Sequence, residues 1–184
     1  MGHKKGRPVG RPLCWFKRGL VLHAAAVRLG RGGFGSLAVL EGLKGKTVVL
    51  EWYNPGCPYV KKFYDVGAMQ NAQKDAIAQG AVWLVINSGG HKLNETNGYY
   101  PGTVINDEGS KIARAYEAKV TPHCFVIDAK GNLAYKGAID SIPSAKSADI
   151  EKATNYVAVA LKSLKDGKAP ETTTTKPYGC GVKY

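Results

Sequence analysis

The chain has 184 residues, 44% of them hydrophobic, which is enough to bury the core of one domain of ordinary size. It contains no apolar stretch of about eighteen residues or more, so no membrane-spanning helix is predicted. The formal net charge is +12, but residues 1–35 hold eight basic residues and no acidic one, whereas the remainder holds 18 basic against 14 acidic residues. Nucleic-acid binding by the folded part is therefore not expected.

The basic leader, residues 1–35, is rich in Gly and Arg and has no sustained hydrophobic period. Arg28 and Arg31 follow its apolar stretch, which is unlike a secretory signal, and serine is scarcer than in a mitochondrial transit peptide. A phosphate-binding arm is a third interpretation, with little aromatic interleaving to support it. We expect a poorly ordered leader, or a stretch from an unusual translation start, followed by a domain over residues 36–168 and a tail over residues 169–184.

The first strong pattern is a buried strand that ends in a turn and a cysteine. Residues 47–53 are β-branched and aromatic apart from one acid, which predicts a strand. Asn54, Pro55 and Gly56 are turn residues and end it. Cys57 therefore lies where a new element begins.

That new element is predicted to be a helix from Pro58 to about Gln79, with a kink at Gly67, because apolar residues recur at helical spacing. A thiol at a helix N-terminus is favoured as thiolate, since unpaired N–H groups and the helix dipole can bring its pKa from about 8.5 toward neutrality. A cysteine in an apolar stretch is more often a small core residue. The order strand, turn, cysteine, helix favours a reactive Cys57 instead.

The remaining elements follow in chain order. A second buried strand after the helix implies a parallel pair with a right-handed crossover, and a site at the carboxyl ends of the strands. The hydrophobic periods predict strands at 81–87, 103–106, 124–128 and 133–136, with a hairpin turn between the last two, and helices at 108–118 and 148–165.

Two segments carry a resemblance to a known family. The run from Asn54 to Lys61 is similar to the N-x-x-C-P-Y-V-K segment of the thioredoxin superfamily's redoxin branch, the peroxiredoxin-like proteins grouped with alkyl hydroperoxide reductases and thiol-specific antioxidants (AhpC/TSA). The run from Val120 to Gly137 resembles that branch's segment after the cis-proline. The resemblance covers about residues 43–184. It implies a thioredoxin-like α/β fold, a three-layer α/β/α sandwich with a mixed central sheet and a C-terminal antiparallel hairpin.

The chain also departs from the family. Thioredoxins carry C-x-x-C, but Val60 stands three residues after Cys57, so a local dithiol is excluded. Typical peroxiredoxins place Thr or Ser, and proline, where this chain has Asn54 and Leu50. Peroxidase activity is thus implied by the resemblance and not by a motif match.

The resemblance also implies roles for particular residues. The Cys57 thiolate would attack a hydroperoxide or a disulfide, and Thr121 with a cis-Pro122 would align the substrate. Arg114 is a candidate for stabilising the thiolate, although helix arginines are usually solvated. The remaining pocket residues would be Asn54, Pro55, Gly56 and Pro58.

Two other cysteines compete to resolve the oxidised Cys57. Cys180 lies in a tail that ends in apolar and aromatic residues, which favours docking, and a cysteine on a mobile tail suits condensation with a sulfenic acid. Cys124 lies in a predicted strand, where core packing is the alternative, and Cys14 is interpreted as incidental. Cys180 is favoured.

The expected activity is that of a thiol-dependent oxidoreductase using an external thiol reductant such as a thioredoxin, with no cofactor. His91 and the cysteines lack zinc-ligand spacing, so no metal site is predicted. The alternatives are thiol–disulfide interchange and a non-catalytic redox sensor or binding module. A soluble protein is expected, with the cytoplasm slightly favoured over the periplasm or an organelle.

Overall fold

A mixed five-stranded sheet forms the centre of the computed structural model, which describes residues 43–91 and 103–184. The strand order is β3-β2-β1-β5-β6, in which β1, β2 and β3 are parallel and β5 and β6 run antiparallel to their neighbours. The strands are β1 Val48–Trp52, β2 Val82–Asn87, β3 Thr103–Asn106, β5 His123–Ile127 and β6 Leu133–Gly137. A separate antiparallel pair joins β4 Val120–Thr121 to β7 Cys180–Gly181.

Helices cover both faces of the sheet, which confirms the predicted three layers. They are α1 Pro58–Tyr64, α2 Ala68–Ala78, α3 Lys111–Tyr116 and α4 Tyr156–Lys165. One face of β1, with Val49, packs against α1, α2 and α4, and the opposite face, with Leu50, packs against α3. All five β1 residues are buried, since apolar groups cover both of their faces.

The helix predicted over residues 58–79 is divided at the predicted kink. Gly67 has φ 74°, a left-handed conformation that glycine adopts without steric cost, and it separates α1 from α2. The turn also shortens α1 to seven residues. Cys57 therefore stands at the start of a short helix.

The helix predicted over residues 148–165 is wrong in its first half. Ser147–Lys152 forms a 3₁₀-helix, and α4 begins only at Tyr156. The backbone between them pairs with the chain after β6: the Tyr156 N–H donates to the Ile139 carbonyl at 2.9 Å. Asn155 then caps α4, its side chain accepting from the Ala158 N–H at 3.0 Å.

The helix predicted over residues 108–118 is also shorter than expected. Glu108–Ser110 is a 3₁₀ turn, and the left-handed φ values of Gly109 (73°) and Ser110 (54°) separate it from α3. The predicted hairpin of β5 and β6 is confirmed, with its turn at Asp128–Gly131.

The C-terminal segment runs along the edge of β6 and then crosses to β4. The Lys136 N–H donates to Thr173, and the Thr175 N–H donates to Lys136, at 3.0 and 3.1 Å. Beyond these bonds the chain reaches β7. In the described residues no helix is long and apolar enough to span a bilayer. The predicted leader, with Cys14, lies outside the described residues.

Candidate active site

The turn after β1 places Cys57 at the carboxyl end of the sheet. The Asn54 side-chain oxygen accepts from the Gly56 N–H at 2.8 Å, and the Asn54 carbonyl accepts from the Cys57 N–H at 3.0 Å. Cys57 is the N-cap residue of α1, and Pro58 occupies the first helical turn. The Asn54–Pro55–Gly56 turn thus fixes the backbone direction at the thiol.

The Cys57 side chain is buried against the residue that precedes a proline. Cys57 is 0% exposed, and its thiol donates to the Thr121 carbonyl at 3.0 Å. The Thr121–Pro122 peptide bond is cis, as the resemblance implied. Strand β4 therefore brings Thr121 and Pro122 to Cys57, from 64 residues away in the sequence.

The C-terminal segment brings a second thiol to the same place. In the β4–β7 pair Cys180 lies opposite Thr121, whose hydroxyl donates to the Cys180 carbonyl at 3.4 Å. The Cys180 thiol lies close enough to Cys57 to lower the pKa of the Cys57 thiol. Two of the three cysteines proposed as catalytic thus lie side by side, and both are free thiols in this structure.

The two thiols have opposite electrostatic preferences. Burial raises the pKa of Cys57, but hydrogen bonds from the Cys180 and Thr121 side chains and from the Cys180 and Val60 backbone outweigh it and bring the pKa below its ordinary value. Burial, the hydrogen bond to Cys57 and the Cys57 charge raise the pKa of Cys180 to about 11. Cys57 therefore ionises first. Cys180 keeps its proton and can act as a hydrogen-bond donor to the Cys57 thiolate.

Cys124 lies in the core and has no comparable support. It is 0% exposed in β5, directly across from Glu51 of β1. Burial, together with the nearby Glu51 and Asp140, raises the pKa of Cys124 well above its ordinary value. These surroundings favour the packing interpretation of Cys124 that the sequence left open.

Arg114 lies at the far end of the C-terminal segment. It is exposed on α3, and its guanidinium carbon is 4.9 Å from the centre of the Tyr184 ring. In the described residues it is not among the groups that lower the pKa of Cys57. Hydroxyl, thiol and backbone donors fill that role.

The comparisons with known proteins agree with this architecture. The model of the thioredoxin-like domain matches residues 38–146. The chain belongs to the thioredoxin-like domain family. No curated protein matches its sequence significantly.

Three solved structures show the same fold. A hypothetical protein from Sinorhizobium meliloti 1021 is 22% identical, with a TM-score of 0.71 over 92% of this chain and 95% of its own. An uncharacterized conserved protein from Geobacillus kaustophilus is 23% identical, with a TM-score of 0.67 over 96% and 98%. A proposed thiol:disulfide interchange protein, DsbE, from Chlorobium tepidum is 19% identical, with a TM-score of 0.52 over 65% and 84%. At these identities the likeness supports the fold alone.

A buried ion pair in this thioredoxin-like protein was missed at the sequence level. The Lys62 ammonium, on α1, donates to Asp140 at 2.8 Å and to the Ile142 carbonyl at 3.0 Å, and its side chain is 0% exposed. The Tyr178 hydroxyl donates to the other Asp140 oxygen and lies 3.3 Å from the Lys62 nitrogen. Because Tyr178 precedes Cys180 by two residues, this cluster anchors the tail beside the site. A basic residue within an otherwise apolar helix face was the available signal.

A buried acid lies beneath the site. Glu51 is 0% exposed and accepts hydrogen bonds from Tyr64, Gln73 and Trp83 at 2.8, 3.1 and 2.9 Å. Burial raises its pKa to about 7, against the lowering effect of its three donors. The sequence marked Glu51 only as the one charge in its strand.

No three His, Cys, Asp or Glu side chains come together as metal ligands within residues 43–91 and 103–184. The chemistry that the described residues bring together is that of two adjacent thiols.

Proposed function

We propose that this protein is a thiol-dependent oxidoreductase in which Cys57 and Cys180 alternate between a dithiol and an intramolecular disulfide. The observation that carries the proposal is that Thr121 contacts the Cys57 thiol through its carbonyl and pairs with Cys180 across β4 and β7, which brings the two thiols together, with the pKa of Cys57 lowered and that of Cys180 raised. A nucleophile that ionises beside a thiol that stays protonated is the arrangement a resolving pair needs.

With a hydroperoxide, the Cys57 thiolate attacks the terminal oxygen. The O–O bond breaks, Cys57 becomes a sulfenic acid, and the leaving alkoxide or hydroxide takes a proton from solvent and departs as alcohol or water. The Cys180 sulfur then attacks the Cys57 sulfur, the S–O bond breaks and water leaves. Two external thiols, from a reductant such as a thioredoxin, return the disulfide to the dithiol. The similarity of the Cys57 segment to the redoxin branch supports this first step.

The other candidate residues have positioning roles in this proposal. The Thr121 hydroxyl and carbonyl hold Cys57 and the Cys180 strand together, with Pro122 following directly. Asn54, Gly56 and their turn fix the start of α1. Cys180 is proposed as the resolving cysteine over Cys124, because Cys180 contacts Cys57 and is partly exposed, whereas Cys124 is fully buried.

Thiol–disulfide interchange is the second candidate. It is favoured by the β4–β7 pairing, since a cysteine in an extended segment already lies against Cys57. The Cys57 thiolate would attack a disulfide and release one thiolate, and Cys180 would then attack Cys57 and release the other. The same cysteine pair serves both candidates.

The test is mass spectrometry of the purified protein after one equivalent of hydrogen peroxide, and separately of an aromatic disulfide, followed by turnover with dithiothreitol. The proposal predicts a loss of two hydrogens and a peptide linking Cys57 to Cys180 with either oxidant. The relative rates of oxidation by the peroxide and by the disulfide distinguish hydroperoxide reduction from thiol–disulfide interchange.

Cys57→Ser and Cys124→Ala are the matched controls: the first abolishes the linked peptide and the second retains it. Absence of that peptide, or turnover equal to that of Cys57→Ser, would leave a non-catalytic module that uses Cys57 only for docking.

A further inference from the structure

The C-terminal strap, defined here as residues 173–184, covers the candidate active site. It follows the edge of β6, passes the Lys62–Asp140 pair with Tyr178, and pairs with β4 through Cys180 and Gly181. Beneath it Cys57 is 0% exposed. Cys180 of the strap packs against the hydrophobic cluster that contains Cys57, so the strap forms part of the cover over the Cys57 sulfur.

The strap uses backbone groups that any extended chain could use. Val120 faces Gly181 and Thr121 faces Cys180 in an antiparallel register, and the Val182 N–H continues it by donating to the Lys119 carbonyl at 3.0 Å. Main-chain bonds of this kind fix direction and register and are indifferent to most side chains. In this register the residue opposite Thr121 places its side chain against Cys57.

One position of the strap tolerates a single residue type. Gly179 has φ 143°, and a Cβ built on it would overlap the Thr121 carbonyl oxygen and lie 2.7 Å from the carbonyl carbon. That carbonyl is the acceptor of the Cys57 thiol. Backbone can therefore approach the site only with a glycine immediately before the cysteine. By contrast, a Cβ on Gly181 meets nothing within 4 Å.

Besides these backbone bonds, side chains on either side of a very short strand hold the strap. Tyr178 is bonded to Asp140 on one side, and on the other the Tyr184 hydroxyl donates to the Ala118 carbonyl. Strand β7 itself has two residues, and most of residues 168–184 are partly or fully exposed. Segments with few buried contacts open at low free-energy cost.

We propose that the strap is a displaceable internal ligand of the β4 edge, and that polypeptide partners of Cys57 bind by replacing it. The partner is an extended, cysteine-containing segment with glycine immediately before the cysteine, bound antiparallel to β4. The chemistry that follows binding rests on the proposed function, whereas the binding itself does not.

The test measures protection of Cys57 from alkylation, in a Cys180→Ser background so that only one thiol of the pair reacts. Peptide mapping reads the Cys57 modification rate in the full chain. Gly179→Ala should release the strap and raise this rate by about tenfold. Gly181→Ala makes the same chemical change two residues away, in open space, and should leave the rate within about twofold of its parent.

A peptide with the sequence of residues 176–184, carrying serine in place of cysteine, is then added to the Gly179→Ala protein. It should slow Cys57 alkylation back toward the rate of the strapped parent, whereas the same peptide with alanine in place of its first glycine should not. Tyr184→Ala, which loosens the strap without a backbone clash, provides a second protein should Gly179→Ala fail to fold.

Equal rates in the Gly179→Ala and Gly181→Ala proteins, or equal effects of the two peptides, would overturn the proposal. Because the assay contains no redox step, failure of the oxidoreductase cycle leaves its result unchanged. Conversely, an active redox cycle without protection of Cys57 by the peptide would support the proposed function and overturn the proposal that partners replace the strap.

Discussion

Cys57 and Cys124 are both 0% exposed and belong to the same hydrophobic cluster, yet the pKa of one is lowered and that of the other is raised. Burial opposes ionisation of both. Cys57 gains hydrogen bonds from side chains and backbone that outweigh burial, whereas Cys124 has the negative charges of Glu51 and Asp140 nearby. Donors aimed at the sulfur, together with a shallower position in the fold, separate the thiol with the lowered pKa from the one with the raised pKa.

The difference follows from where each residue lies in the fold. Cys124 is in the middle of β5, and its neighbours across the sheet are Glu51 and Gly137. Cys57 lies past the end of β1, where Thr121 and Cys180 can approach from other segments. Sites at the carboxyl ends of strands are accessible to several loops at once, which is why donors can converge there.

The largest difference in activity should come from removing each of these two thiols in turn. Cys57→Ser should lower oxidant-dependent turnover by about a thousandfold or more, because no thiolate remains to attack. Cys124→Ala should change it by less than about twofold, because that thiol does not ionise. Coupled peroxidase or disulfide-reduction assays measure both. A Cys124→Ala protein that folds but loses activity would contradict the comparison.

The acid beside Cys124 should make stability depend on pH. Between the ordinary carboxyl pKa of 4.5 and about 7, native Glu51 holds a proton that the unfolded chain has lost. The free energy of unfolding should therefore fall as pH rises through this range, by about 3 kcal/mol in total. Urea unfolding at a series of pH values measures it.

Glu51→Gln is the matched variant, since its amide can keep the three partners if the Tyr64 hydroxyl turns from donor to acceptor. It should remove this part of the pH dependence. A slope unchanged by the substitution would show that Glu51 does not carry it.

Two contributions of Cys180 should be separable: its role in resolving the oxidised Cys57 and its effect on the pKa of Cys57. Cys180→Ser and Cys180→Ala should both lower turnover by about thirtyfold and leave sulfenic acid on Cys57. Only the alanine variant removes the donor, so it should raise the pKa of Cys57 more than serine does. Trapping with a sulfenic-acid reagent and thiolate absorbance report the two effects. Equal pKa values in the two variants would argue against the donor role.

Thr121 should have the smallest effect. Thr121→Val removes the hydroxyl that donates to the Cys180 carbonyl and that lowers the pKa of Cys57, so this pKa should rise and the rate at neutral pH should fall about threefold. Thr121→Ser keeps the hydroxyl and should remain close to the parent. A threefold loss in both variants would assign the effect to packing of β4.

The strand, the turn and the helix start around Cys57 could be predicted because they depend on consecutive residues. Residues 47–53 read as a buried strand, and Asn54 to Gly56 as a turn, from their own chemistry. The kink at Gly67 was predictable for the same reason.

The rest depends on residues far apart in the sequence. Thr121 and Cys180 are 59 residues apart, and their register depends on the absence of a Cβ at Gly179. The Lys62–Asp140 pair spans 78 residues. Likewise, the apolar period over 148–165 favoured one helix, whereas pairing of residues 154–156 with 139–141 delays its start to Tyr156. Periodicity contains no information about such partners.

The most direct test is a titration of thiolate absorbance across the pH range in which the protein stays folded, taken as the difference between the parent and Cys57→Ser. The lowered pKa predicts that the step lost in Cys57→Ser lies below the ordinary thiol range, with the Cys180 step near pH 11. A Cys57 step within or above the ordinary range would contradict the central claim that convergent donors ionise this buried thiol.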